Sequence, residues 1–83
     1  MNGNRADIQT RFGVAVRKRR TEKELTQQTL AFRANLHRTY ITDVERGERN
    51  VSLRAIHAIV TALECAVGEL LSPPYFTYEG ETP

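Results

Sequence analysis

The sequence of 83 residues lacks most features on which catalytic or metal sites depend. It has one cysteine, no tryptophan and two histidines, which stand twenty positions apart. A structural zinc site needs four ligands at short paired spacings, so we expect no metal site. There is also no glycine-rich phosphate loop and no nucleophile with a base near it in sequence. We therefore expect neither a cofactor nor an enzyme.

Long apolar runs are also missing. No run approaches the roughly 20 residues that cross a bilayer, and residues 1–10 are polar, unlike a secretory signal. The single Cys65 forms no internal disulfide and indicates a reducing compartment. We expect a cytoplasmic protein without a membrane partner. Its length is enough for one domain with a modest core.

Positive and negative charges are distributed unevenly along the chain. The net charge is only +2, but residues 1–50 hold eleven Lys/Arg against six Asp/Glu, and residues 51–83 hold one against four. A basic half of this kind is expected of a polyanion binder. The basic run at residues 17–20 either touches phosphate or is a solvated helix end, where cations are favourable.

Residues 27–46, QQTLAFRANLHRTYITDVER, have the spacing of a helix-turn-helix motif. Two helices that cross closely need a small side chain at the crossing, which Ala31 supplies. Asn35 suits a turn because it tolerates the left-handed conformation better than other non-glycine residues. Ile41 and Val44 seat the second helix on the core and leave its other face free. The alternative interpretation is an ordinary helical hairpin.

Periodicity and capping residues predict an all-α chain of five helices without strands. The expected elements are residues 7–20 with Asp7 as N-cap, residues 26–33 with Thr26 as N-cap, residues 37–46 with Gly47 as the stop, a helix from Ser52 onward, and residues 66–71 before Pro73 and Pro74. The expected core stripes are Ile8, Phe12 and Val16 on the first helix, and Leu53, Ile56, Ile59, Val60 and Leu63 on the fourth. Residues 1–6 are read as an extension, residues 7–72 as the domain, and residues 73–83 as a flexible tail unless its aromatic rings dock.

The phrases FGVAVRKRR, LTQQTLA, NLHRTYITDVERGERNVSL and ALECAVGELL resemble the lambda-repressor-like (Xre) helix-turn-helix family over residues 12–71. Residues 35–50 are especially similar to controller proteins of restriction–modification systems. This resemblance implies a five-helix lambda-repressor-like DNA-binding domain. It also implies a small dimer that binds operators upstream of its own gene and of the endonuclease gene.

Some positions depart from the pattern of the family. His37 stands where the family usually has Ser, Thr or Asp to cap the recognition helix. Glu24 and Glu64 stand where Gly often ends the first and fourth helices. Arg19 replaces a common core Leu, and Ala66 replaces a usual capping Ser.

Contacts to DNA bases are expected from the second helix of the motif, which lies in the major groove with its N-terminal residues facing base edges. The guanidinium fork of Arg38 matches the two acceptors of guanine, worth ~1–3 kcal/mol of discrimination. The expected base-contacting residues are Arg38, Thr39, Thr42 and Asp43.

Phosphate contacts are expected around this helix. Gln27 begins the first motif helix, where backbone N–H groups favour a phosphate. Tyr40 either packs against the turn or reaches a phosphate, and Arg46 either meets a phosphate or pairs with Glu45 or Glu48. The expected phosphate-contacting residues are Arg20, Thr26, Gln27, Gln28, Tyr40, Arg46, Arg49 and Asn50.

The sequence thus predicts a transcription regulator that binds double-stranded DNA as a homodimer on a pseudo-palindromic operator, with no evident small-molecule effector. Val67, Leu70 and Leu71 are expected to form an exposed apolar patch that pairs across a two-fold axis. One alternative is the antitoxin of a toxin–antitoxin pair, with a partner surface in its tail. Another is a protein–protein adaptor that keeps the fold without DNA contact, against which the basic face argues.

Overall fold

Five α-helices and no strand make up the described part of the chain, residues 7–76, in the computed structural model. They are α1 (Ile8–Glu22), α2 (Gln27–Ala34), α3 (Arg38–Glu45), α4 (Leu53–Ala62) and α5 (Val67–Leu70). The predicted all-α, five-helix architecture is confirmed. None of these helices combines the length and the apolarity needed to cross a membrane.

Side-chain caps start four of the helices. Asp7, Thr26 and Ser52 each accept a hydrogen bond from the backbone N–H three residues further on, as their residue types predict. That bond lowers the pKa of the Asp7 carboxyl. At α3 the cap is His37, whose Nδ1 accepts from the backbone N–H of Thr39 at 3.1 Å. Histidine therefore replaces the usual hydroxyl or carboxylate cap.

Left-handed residues end several helices. Glu24, Asn35 and Glu64 follow or cap α1, α2 and α4 with φ of 59°, 58° and 58°. Gly47 follows α3 with φ of 76°, in agreement with its predicted role as a stop. Asn35 thereby forms the turn of the motif, and the two glutamates adopt a conformation that usually selects glycine.

The core lies between α1, α3, α4 and the inner face of α2. Its fully buried side chains include Val16, Leu30, Ile41, Ile59 and Leu63. Ala31 is also buried, which fits its predicted place where α2 and α3 cross. Two predicted core residues lie at the surface: Ile8 is 54% exposed and Leu53 is 85% exposed. Both are the first residues of their helices.

The chain after α5 packs back onto the domain. Phe76 is buried in the core, and the Tyr75 hydroxyl accepts from Arg19 Nη1 at 3.3 Å. Arg19 also donates to the carbonyls of Leu63 and Glu64, at 3.2 and 3.0 Å, and so caps the end of α4. The rings of Tyr75 and Phe76 thus dock on the domain, which is the exception that the prediction of a flexible tail from residue 73 allowed. The remaining tail, residues 77–83, and the extension, residues 1–6, lie outside the described residues.

Candidate nucleic-acid interface

The N-terminal end of α3 presents solvent-exposed polar side chains. Arg38 and Thr39 are exposed, and neither side chain makes a hydrogen bond or an ion pair with another residue of the described range 7–76. Ile41 and Val44 are buried on the opposite side of the helix, as the spacing predicted. The structure therefore places Arg38 and Thr39, two of the four predicted base-contacting residues, together on the face that points away from the core.

The C-terminal end of α3 is fastened to the body of the domain by a polar network. The side chain of Glu45 is only 4% exposed. Its carboxylate accepts hydrogen bonds from Arg20 Nε at 2.6 Å and from Arg20 Nη2 at 3.0 Å. Gln27 Nε2 donates to Glu45 at 3.0 Å, and Thr42 Oγ1 donates to Gln27 Oε1 at 3.0 Å. We call Arg20, Gln27, Thr42 and Glu45 the anchor cluster. It joins α1, α2 and α3. The bidentate hydrogen bonds between Arg20 and Glu45 fix the orientation of the two side chains as well as their distance.

The anchor cluster changes the expected role of Arg20. Its third nitrogen, Nη1, donates to the carbonyl of Leu25 at 2.7 Å, so all three guanidinium nitrogens are used inside the protein. The side chain is only 14% exposed. The placement speaks against the predicted phosphate contact of Arg20, and we assign it a positioning role. Thr42 is likewise half-buried with its hydroxyl engaged, which speaks against a direct base contact.

Close backbone packing supports the same end of α3. A Cβ added to Gly13 of α1 would lie 2.2 Å from the Val44 carbonyl oxygen and 2.9 Å from that of Glu45. These are backbone atoms, which cannot swing aside as a flexible side chain can. Only glycine therefore lets α1 approach α3 this closely.

A second polar group lies on the outer side of α3. Arg49 Nη2, from the connection to α4, lies 3.2 Å from Asp43 Oδ2. The guanidinium carbon of Arg49 also lies 4.5 Å from the centroid of the Tyr40 ring. Tyr40 is half-buried and packs partly against the core, so the structure shows the packing alternative for its ring. Asp43 and Arg49, predicted to face base and phosphate respectively, thus meet each other.

The remaining predicted phosphate residues border α2 and α3. Thr26, Gln28 and Asn50 are exposed. Arg46 lies 3.3 Å from Glu48, with both side chains more than half exposed, which is one of the two pairings that the sequence left open. An exposed pair of this kind is worth at most about 1 kcal/mol, so it leaves Arg46 available to another partner.

The predicted apolar patch at the end of the chain is only partly exposed. Leu70 has no exposed surface and belongs to the core of a single chain, so its assignment to the dimer interface is wrong. Its position as the last residue of α5 turns it inward, towards α1 and α4. Val67 is 44% exposed, and Leu71 is half-buried in the wall of an apolar hollow of about 150 Å³. That hollow is also lined by Ile8, Val51 and Ile56.

Two positions of the interface escaped the sequence interpretation. Glu45 was considered only as a partner of Arg46, because nothing in local spacing connects it to Arg20, 25 residues earlier. Gly13 was passed over, although a lone glycine inside a helical pattern is itself a signal of close packing.

The chain is similar in sequence to known helix-turn-helix proteins. The helix-turn-helix family model HTH_3 matches residues 16–70. The control protein C.BamHI of Bacillus amyloliquefaciens is 48% identical over 66 residues, which cover 78% of this chain and 82% of the relative.

Solved structures agree with the sequence comparison. The restriction–modification controller protein C.AhdI from Aeromonas hydrophila aligns with a TM-score of 0.72 and 49% identity, covering 74% of this chain and 92% of that one. The controller protein C.Esp1396I, solved as a tetramer in complex with its natural 35 base-pair operator, aligns with a TM-score of 0.74 and 32% identity. That alignment covers 80% of this chain and 87% of that one.

Proposed function

Because the chain belongs to the helix-turn-helix family that includes the controller proteins of restriction–modification systems, we propose that it is a sequence-specific DNA-binding transcription regulator. The observation that carries this proposal is the exposed, unpartnered N-terminal end of α3 on a helix whose other end is fixed by the anchor cluster. A reading surface must be solvent-exposed and still hold its direction, and α3 combines both properties.

Base readout is assigned to Arg38 and Thr39, which enter the major groove first when the second motif helix docks. Arg38 would donate its two forked N–H groups to guanine, and Thr39 would bond a base or touch a thymine methyl. Phosphate contacts are assigned to Thr26, Gln28, Arg46 and Asn50, which border the helix. The side chain of Gln27 is held in the anchor cluster, so its phosphate contact is assigned to the backbone N–H at the start of α2. Tyr40, Asp43 and Arg49 belong to the same surface.

Regulation follows from occupancy of the operator. A cytoplasmic protein of this kind would occlude or assist RNA polymerase at the promoter that contains its site. The similarity to C.BamHI and C.AhdI supports a restriction–modification gene cluster as the regulated unit.

Selection of duplexes from a random DNA pool tests this function. We expect enrichment of one sequence with two related half-sites about one helical turn apart, ~34 Å between the paired recognition helices. The enriched duplex must also bind more tightly than a scrambled duplex at the same salt concentration. Failure to enrich any sequence would contradict the proposal.

We further propose that the protein binds as a homodimer. One domain touches only a few base pairs, so useful specificity needs two half-sites and a fixed spacing between them. The supporting surface is the apolar hollow with Ile8 and Leu71 in its wall, together with the partly exposed Val67. A two-fold axis through this surface would bury these side chains against their own copies.

Sedimentation measurements on two charge variants test the dimer. Ile8→Glu and Val67→Glu alter exposed side chains and should yield monomers that keep the helical content of the parent. Phe32→Glu is the matched control, because Phe32 is 85% exposed on α2, away from the hollow, and its replacement should leave the dimer intact. A dimer that survives both Ile8→Glu and Val67→Glu would show that the interface lies elsewhere.

A further inference from the structure

The outward surface of α3 carries one acidic group that a DNA-binding helix has to accommodate. Of the two acidic side chains on α3, Glu45 is enclosed in the anchor cluster, whereas the Asp43 side chain is 25% exposed. DNA carries a negative charge about every 1.7 Å along its axis, so an isolated carboxylate on this surface would oppose every duplex, whatever its sequence.

Arg49 lies where it cancels that charge. Its Nη2 donates to Asp43 Oδ2 at 3.2 Å, and its guanidinium lies 4.5 Å from the centre of the Tyr40 ring. Tyr40 and Asp43 are three residues apart, so they share one side of α3 and meet Arg49 together. An aromatic face attracts a cation, which keeps the guanidinium beside the carboxylate.

We propose, resting on the DNA-binding function above, that Arg49 is a positioning residue that acts on DNA through Asp43 rather than mainly as a phosphate contact. By pairing with Asp43 it neutralises the outward face of α3 and directs the carboxylate. The second oxygen, Oδ1, has no partner within residues 7–76 and is left to accept a hydrogen bond from the amino group of cytosine.

Solvent exposure separates this role from a purely structural one. The side chains of Arg49 and Asp43 are 42% and 25% exposed, and ion pairs that remain in contact with solvent contribute little to folding stability. Loss of the pair should therefore leave the melting temperature almost unchanged. A fall in DNA affinity without a fall in stability would place the effect at the interface.

A double-mutant cycle with Arg49→Ala, Asp43→Asn and the double variant tests the proposal by titration of the selected duplex and a scrambled duplex. Arg49→Ala should weaken binding to both duplexes by about tenfold, within the range measured for residues in contact. Asp43→Asn in the same chain should restore most of the affinity for the scrambled duplex, because it removes the charge that Arg49 had masked. It should not restore the preference for the selected duplex, since an amide presents a different hydrogen-bonding pattern.

The control cycle uses Lys23→Ala and Glu64→Gln, an ion pair at the ends of α1 and α4 to which no DNA contact is assigned. Here we expect the two effects to be independent. Should Arg49→Ala alter the far-ultraviolet spectrum, Arg49→Gln replaces it in the same cycle, since glutamine keeps an N–H donor without the charge.

Independence of the two substitutions would overturn the proposal. If Arg49→Ala costs the same factor whether position 43 holds Asp or Asn, Arg49 is a direct phosphate contact and the proposal is wrong. If the parent protein prefers no duplex but the cycle on scrambled DNA is coupled, the proposed sequence-specific function fails and the role of Arg49 stands. If the parent protein binds no DNA, both fail.

Discussion

The two ends of α3 use their side chains in opposite ways. At the N-terminal end, Arg38 and Thr39 are exposed and bond to nothing else in residues 7–76. At the C-terminal end, Glu45 is enclosed by Arg20 and Gln27, and the backbone of α1 touches the helix at Gly13. The proposed base-contacting residues and the residues that fix the direction of α3 are therefore different residues of one eight-residue helix.

The polar anchor contributes direction more than net stability. A buried ion pair often gains no more than the desolvation it costs, so hydrophobic side chains of similar volume could hold α3 as strongly. Two bonds from Arg20 and one from Gln27 do, however, fix the rotation and height of the helix end. Substitutions at this end should therefore reduce folding stability and all DNA binding together, whereas substitutions of Arg38 and Thr39 at the other end should reduce binding to the preferred sequence and leave folding stability unchanged.

The largest effect is expected from Glu45→Ala. Removing the carboxylate leaves the guanidinium of Arg20 buried without its counter-charge, which costs about 3–5 kcal/mol in comparable pairs. Denaturant titration monitored by circular dichroism measures the loss. Glu48→Ala is the control, because its exposed pair with Arg46 contributes at most about 1 kcal/mol. Equal losses for the two variants would show that the enclosed position of Glu45 has no energetic consequence.

Gly13→Ala should give the next largest loss of stability. The added methyl would lie 2.2 Å from the Val44 carbonyl oxygen, so α1 and α3 must separate. Overpacking of a core typically costs about 1–3 kcal/mol, and here the obstructing atoms are backbone. Gly68→Ala provides the matched control, since a Cβ there meets no atom within 4 Å. A thermal melt that ranks Gly13→Ala with Gly68→Ala would refute the close approach of the two helices.

A smaller effect is expected at the free end of α3. His37→Ala removes the cap whose Nδ1 accepts from the backbone N–H of Thr39, and loss of an N-cap usually costs about 1 kcal/mol. His37→Ser should restore the parent's unfolding free energy or exceed it, because serine is a preferred cap. The denaturant midpoints of the parent, His37→Ala and His37→Ser measure this difference. An unchanged midpoint in His37→Ala would mean that the cap contributes nothing to the free energy of unfolding.

Much of the fold follows from local sequence signals. Helix starts are predicted by the capping residues Asp7, Thr26 and Ser52, and the end of α3 is predicted by Gly47. The spacing of Ile41 and Val44 predicts which face of α3 is buried. These signals operate within a few residues, so no knowledge of the tertiary structure is needed to read them.

The errors come from tertiary contacts. Leu70 was assigned to a surface patch from its sequence, but it is buried against α4 and against α1, which lies far away along the chain. Phe76 extends the domain beyond the two prolines because its ring is buried in the core. Arg20 was expected to bind phosphate, since its sequence neighbours are basic and its partner Glu45 is distant. A charge pattern therefore identifies the basic half but not which cations are already paired.

Titration of Arg38→Ala against the selected and scrambled duplexes tests the central claim most directly. If the N-terminal end of α3 reads bases, the variant should lose roughly 1–3 kcal/mol of affinity for the selected duplex and much less for the scrambled one. Its unfolding free energy should equal that of the parent, because the side chain bonds to nothing else in residues 7–76. Equal losses on both duplexes, or a loss of stability as large as that of Glu45→Ala, would contradict the division of α3 into a reading end and a holding end.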